Sequence, residues 1–111
     1  MYVKFDNNED KLVVTLMGEL DHHSSEEVRN KIDNKIDNEG FNKLIMNFSG
    51  VSFMDSSGIG MVIGRYKKLL NRNGIVCVTD VNQRINKVFE ISGMYKIIKN
   101  YSTVEEALSS I

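Results

Sequence analysis

The chain has no proline, so no connection in it is a proline-rich spacer and no helical pattern is interrupted by a ring. It has one cysteine, Cys77, which excludes an internal disulfide. Cys77 lies in Ile75-Val76-Cys77-Val78, where it reads as a small buried hydrophobe. No apolar run approaches the roughly 20 residues of a membrane helix. The opening residues Met1 to Asp6 lack the apolar centre of a signal peptide. A formal net charge of −1 gives no broad attraction to nucleic acid or to an anionic membrane. The expectation is a cytoplasmic protein with neither of those partners.

What is present is enough for one domain, taken here as residues 1–111. With 41% apolar residues the chain can build a core, and no linker, repeat, charged tail or low-complexity segment divides it. Tyr2 to Phe5 and Lys11 to Met17 read as strands around a polar turn, the second with Leu12, Val14 and Leu16 on one face. Gly18 to His23 reads as a polar loop. Ser24 with Glu27 is a candidate capping box for a helix carrying Val28, Ile32 and Ile36, stopped near Gly40. Lys43 to Phe48 is a strand apolar enough to be buried on both faces. A helix follows from about Ser57 to Leu70, then a strand from Ile75 to Thr79. The next helix begins at Asn82, a short strand at Ile97-Ile98 follows, and a last helix is capped by Thr103 with Glu106.

Strands alternating with helices imply right-handed crossovers. The expected fold is α/β: a mixed, mostly parallel sheet with an antiparallel edge and helices packed mainly on one face. A doubly wound sheet covered on both faces is the alternative. Met17, Met46 and Met61 fit core positions, whereas Met54 and Met94 fall in loops and suit either a core or a partner surface. Functional groups in such sheets gather at the carboxyl ends of strands. Two segments meet that description, Glu19 to Ser24 and Phe53 to Gly58.

The second segment, Phe53-Met54-Asp55-Ser56-Ser57-Gly58-Ile59-Gly60, carries the strongest signal. Two hydroxyls, an acid and two glycines sit where a strand hands over to a helix. A serine there lies at the positive end of the helix dipole, which favours an oxyanion on its hydroxyl. Ser56 or Ser57 is therefore a candidate for reversible phosphorylation, although serine at a helix start is commonly only a cap.

Three rival chemistries fit less well. Asp21-His22-His23 could suggest a metal, but these are the chain's two histidines, and neighbours on an extended segment point apart. A Ser-His-Asp hydrolase would use Ser56 or Ser57, His22 or His23, and Asp21 or Asp55. The G-x-S-x-G elbow is absent, however, and the domain is small for a substrate pocket. Gly58, Gly60 and Gly64 do not keep dinucleotide-loop spacing, since Ile63 holds the position of the third glycine. Gly58 and Gly60 read instead as sites of close packing or of approach by a partner backbone. No catalytic residue, metal or cofactor is expected.

Taken together, Gly18-Glu19-Leu20-Asp21-His22-His23, the Asp55-Ser56-Ser57-Gly58 turn, Gly64-Arg65-Tyr66-Lys67 and Ser92-Gly93-Met94-Tyr95-Lys96-Ile97-Ile98 resemble the anti-sigma factor antagonists of the STAS domain family. The resemblance covers essentially the whole chain. The Asp-His-His segment with Gly-Arg-Tyr-Lys points to members serving the sporulation sigma factor F; a stress or biofilm partner switch is the alternative. Ile59 stands where leucine is commoner.

The resemblance implies a binding switch rather than an enzyme. The unmodified protein would bind a nucleotide-bound anti-sigma factor, itself a serine kinase, and release the sigma factor. Phosphorylation, which the resemblance assigns to Ser56, would end binding, and a serine phosphatase would restore it. Glu19, Asp21, Asp55, Ser56, Ser57, Gly58 and Ile59 are expected to form the partner surface, with Glu19 and Asp21 able to pair with an arginine of the kinase. Asp21→Ala is expected to weaken binding with little change in melting temperature.

Overall fold

The computed structural model describes every residue from Met1 to Ile111. Its elements are β1 (Tyr2–Asn8), β2 (Lys11–Leu20), α1 (His22–Glu39), β3 (Lys43–Met54), α2 (Ser56–Leu70), β4 (Ile75–Thr79), α3 (Gln83–Ser92), β5 (Lys99–Tyr101) and α4 (Val104–Ser110). The strands lie in the order β1-β2-β3-β4-β5. β1 pairs antiparallel with β2 through a tight turn, and every later pairing is parallel. Parallel neighbours need long crossovers, which is where the helices go.

Alternation along the strands sorts side chains to two unequal faces. Leu12, Val14 and Leu16 join Leu44, Met46, Phe48, Val76 and Val78 in the main core, closed by α1, α2 and α3 through Val28, Ile32, Ile36, Val62, Leu69, Ile85 and Phe89. The opposite face carries Val13, Ile45 and Cys77, covered by Ala107 of α4. The expectation of helices mainly on one face therefore holds, with α4 as the single exception. Cys77 is fully buried there, and burial pushes its thiol up to about 12, so it stays a neutral thiol.

Several local expectations are corrected. β3 does not stop at Phe48 but runs on to Met54, and β2 runs through Glu19 and Leu20, so Gly18 to Leu20 are strand rather than loop. Register shifts between Thr15 and Met17 and between Gly18 and Glu19 absorb the mismatch between the two strands. Met17 is 36% exposed rather than in the core. Alternation places it opposite Leu16, on the face that α4 covers only lower down. Met54 and Met94 are core fillers. The last strand is Lys99–Tyr101, because Ile98 is drawn into the core after a 3-10 turn at Met94–Lys96.

α1 and α2 lie side by side and are clasped by charge. Arg65 Nε is 3.0 Å from Asp33 Oδ1, with the side chain of Arg65 only 8% exposed. Asp37 reaches Lys68 at 3.1 Å and Arg72 at 2.8 Å. Burial lowers the Arg65 pKa, against the opposing pull of Asp33. These pairs join the middle and the C-terminal ends of the two helices, away from their starts.

Candidate functional site

The last paired residues of β2 and β3 are Leu20 and Met54. Each is followed by one aspartate and then by a helix. The chain therefore makes the same junction twice, side by side, at the carboxyl edge of the sheet. Asp21 has φ −104° and ψ −169°, and Asp55 has φ −106° and ψ −170°. Both are extended N-caps, the conformation in which a short carboxylate can reach back to the first free N–H groups of its helix. The Asp55 N–H donates to Leu20 O at 3.3 Å, tying the two junctions together.

At the first junction Asp21 Oδ1 accepts from Ser24 N at 2.9 Å, and Asp21 N donates to Ser24 Oγ at 2.9 Å. The capping box is present, but Ser24 is its third helical residue rather than its cap, which corrects the expected Ser24–Glu27 pair. Asp21 outranked it because aspartate is as good a cap as serine and comes at the end of the strand. Ser24 Oγ also lies 2.7 Å from Glu19 O and 3.1 Å from the Asp21 carboxylate. Hydrogen bonds from the Ser24 backbone N–H and then its hydroxyl hold the Asp21 carboxyl below the usual range. Asp21 is thus structural as well as surface-lying, and the cap it provides argues against the expected small change in melting temperature for Asp21→Ala. His22 and His23 occupy the first turn of α1 rather than a loop, with ring centroids 5.7 Å apart. No cluster of three or more histidine, cysteine, aspartate or glutamate residues is arranged to hold a metal ion.

At the second junction Asp55 Oδ1 accepts from Ser57 N at 2.8 Å, and α2 starts at Ser56, one residue earlier than expected. Neither serine is the cap. Ser56 is exposed as the first helical residue, and its hydroxyl takes no part in holding the helix end. Ser57 is half-buried and turns toward α1. The first turn of α2 contains no acid, so its positive end is met by Asp55 alone.

Glu19, Asp21, Asp55, Ser56 and Ser57 come together at this edge, and Phe53, paired in register with Glu19, adds an apolar side chain 42% exposed. Gly58 and Ile59 lie underneath, both buried. A Cβ on Gly58 would stand 2.4 Å from Met54 Cγ and 3.0 Å from Leu20 Cδ2, so this glycine permits close packing of α2 on the sheet. Gly60 differs: a Cβ there meets nothing within 4 Å. Sequence reasoning missed the two aspartate caps and the shallow cleft they flank, between the first turns of α1 and α2. The caps were legible as Leu-Asp and Met-Asp at paired strand ends. The cleft depends on helix spacing and left no signal.

No helix is long and apolar enough to cross a membrane. The STAS domain family profile matches residues 2–107. An anti-sigma F factor antagonist of Paenibacillus polymyxa is 33% identical over 111 residues, covering 100% of this chain and 95% of that one. The anti-sigma factor antagonist SpoIIAA in its unphosphorylated form superposes with a TM-score of 0.85 at 35% identity, over 97% of this chain and 94% of that one. The phosphorylated form of the Bacillus cell fate determinant SpoIIAA gives 0.76 at 35% identity, over 97% of both chains. With a sheet of this order, the paired aspartate-capped helix starts at its edge and relatives matching it end to end, the chain belongs to the STAS domain family, among its anti-sigma factor antagonists.

Proposed function

We propose that this chain is the anti-anti-sigma factor of a sporulation partner switch acting on sigma factor F. In the cytoplasm, its unphosphorylated form binds the nucleotide-bound anti-sigma factor, a serine kinase, through Glu19, Asp21, Asp55, Ser56 and Ser57, with Gly58 and Ile59 shaping the surface from below. Binding displaces the sigma factor. The kinase then transfers the γ-phosphoryl group of ATP to Ser56 Oγ: the new O–P bond forms, the bond to ADP breaks, and the hydroxyl proton is lost. A serine phosphatase hydrolyses that ester and resets the switch. The chain serves as ligand and substrate and needs no cofactor of its own.

The observation that carries this reading is the state of Ser56. It is exposed at the start of a helix, it is relieved of capping by Asp55, and no acid shares its turn. A phosphate there, with about −1.5 to −2 charges, can be solvated by the helix end without rearranging the core. A partner that packs over it would meet a misplaced charge in a desolvated contact, a penalty of about 3–5 kcal/mol or more. Recognition can therefore switch while the fold does not.

The test is to mix the chain with candidate anti-sigma kinases and ATP and to follow intact mass, then map the site by peptide fragmentation. One phosphate on Ser56, together with release of the kinase's sigma factor by the unmodified chain, is expected. Phosphate on Ser57, or none with any kinase, would refute the residue assignment or the switch respectively.

A further inference from the structure

The open cleft between the first turns of α1 and α2 has a volume of about 370 Å³ and is lined by His22, Ser25, Glu26 and Arg29 on one side and by Ser57, Gly60 and Met61 on the other. Ser25 is 5% exposed, and its hydroxyl has no hydrogen-bond partner. A buried hydroxyl left unpaired carries a desolvation cost that a native structure seldom bears without a reason. The positive ends of two helices of 18 and 15 residues flank the cleft, and neither has an acid in its first turn. Arg29 adds a permanent cation. Its nearest acid within the cleft is Glu26, at a loose 3.9 Å with both side chains largely exposed, so this pairing holds Arg29 weakly.

We infer that this cleft is a seat for an oxyanion group, a carboxylate or a phosphate presented by the bound partner, held by the Ser25 and Ser57 hydroxyls, His22 and the Arg29 guanidinium. The assignment of the anion to the anti-sigma partner rests on the function proposed above; the seat itself does not. Gly60 leaves the outer wall open, because no side chain stands there to block entry. The seat adjoins Ser56 without containing it, so it would hold the partner in place beside the hydroxyl that is modified. The caps Asp21 and Asp55 do not oppose an anion at full strength, since each is engaged by N–H groups of its own helix.

The test uses the full unphosphorylated chain and amide chemical-shift mapping, titrated with inorganic phosphate in one arm and acetate in the other, at constant ionic strength. Saturable shifts confined to residues 21–29 and 55–61 are expected, with half-saturation at about 10 mM or below in the preferred arm. Tighter phosphate binding marks a phosphate-bearing partner, and acetate binding as tight or tighter marks a carboxylate. Ser25→Ala should weaken binding about fivefold while keeping or raising the melting temperature, because it removes an unpaired buried hydroxyl from a helix. Arg29→Ala should weaken it about tenfold. Gly60→Leu, which folds into open space, should abolish it. Shifts that do not saturate, that spread over the surface lysines, or that are unchanged by Ser25→Ala would overturn the seat. The mass measurement on Ser56 is independent: a chain that takes no phosphate from any kinase but still binds phosphate in the cleft removes the function and keeps the seat, and the converse removes the seat alone.

Discussion

Replacing Ser56 separates stability from recognition, because the structure gives the cap to its neighbour. Asp55 Oδ1 holds Ser57 N at 2.8 Å, and the Ser56 hydroxyl holds nothing. Ser56→Ala therefore loses no cap, which would have cost about 0.5–2 kcal/mol, and gains a few tenths through the better helix propensity of alanine. Its melting temperature should stay within about 4 °C of the parent. Ser56→Asp adds an acid to a first turn that has none, worth about 0.3–1 kcal/mol, and should melt up to about 5 °C higher. Binding to the nucleotide-loaded anti-sigma kinase should run the other way. The alanine variant should bind like the parent and take up no phosphate. The aspartate variant should bind at least about tenfold more weakly, and less weakly than the phosphorylated chain, because one carboxylate carries less charge than a phosphate. Calorimetry and an equilibrium binding assay on the same three proteins give the result. A drop above about 4 °C in Ser56→Ala would show that the hydroxyl supports the helix after all. Undiminished binding by Ser56→Asp would refute charge as the signal.

Three further outcomes test the geometry. Asp21→Ala should cost about 1–2 kcal/mol through the lost cap of α1, whereas Asp21→Asn should stay within a few tenths; equal melting temperatures for the two would deny the capping role. Gly58→Ala should destabilise by about 1–3 kcal/mol through overpacking on Met54 and Leu20, while Gly60→Ala should stabilise by about 0.5–1 kcal/mol, and urea unfolding that gave both the same sign would contradict the packing of α2. Asp10, Asp21, Glu27, Asp37 and Glu39 are all held below their ordinary values of 3.8 to 4.5, chiefly by hydrogen bonds from Lys43, the Ser24 N–H, Lys31, Arg72 and Lys35 respectively. Their contribution is complete above that range and is lost as pH falls through the lowered values; because all five lie at the surface and are screened by solvent, the melting temperature should be flat from neutral pH to about 5 and decline gradually below about 4; a flat profile down to about pH 2 would show that these pairs add nothing to stability.

The sheet was legible in the sequence because its strands are short apolar runs between clear stops, and because each parallel pairing demanded a helix-length crossover. The main core was legible for the same reason: Leu12, Val14 and Leu16 keep a period of two, and Val28, Ile32 and Ile36 keep a period near four. What was not legible depended on contacts between elements. Ser49 to Phe53 look polar and Gly-broken, so β3 appeared to end at Phe48, yet pairing with β2 carries it to Met54. Met17 looks like core until the second face of the sheet is seen to be only half covered. Ser24 and Thr103 both read as caps. Thr103 is one, accepting from Glu106 N at 3.1 Å, and Ser24 is not, because Asp21 precedes it at the strand end.

The repeat of the strand-aspartate-helix junction suits this edge to the proposed switch. Two similar junctions on paired parallel strands bring two helix starts together, tied by the Asp55 N–H to Leu20 O hydrogen bond. Beneath them Leu20 and Met54 are buried close against Gly58, so the surface above rests on a core that takes no contact from the Ser56 hydroxyl. A charge added at that serine then changes the electrostatics of an edge whose backbone is already fixed. In a softer site the same charge would be absorbed by local rearrangement and read weakly by any partner. Here both helix ends are already capped by Asp21 and Asp55, so under the proposed switch the cost of the charge would fall on the complex rather than on the fold.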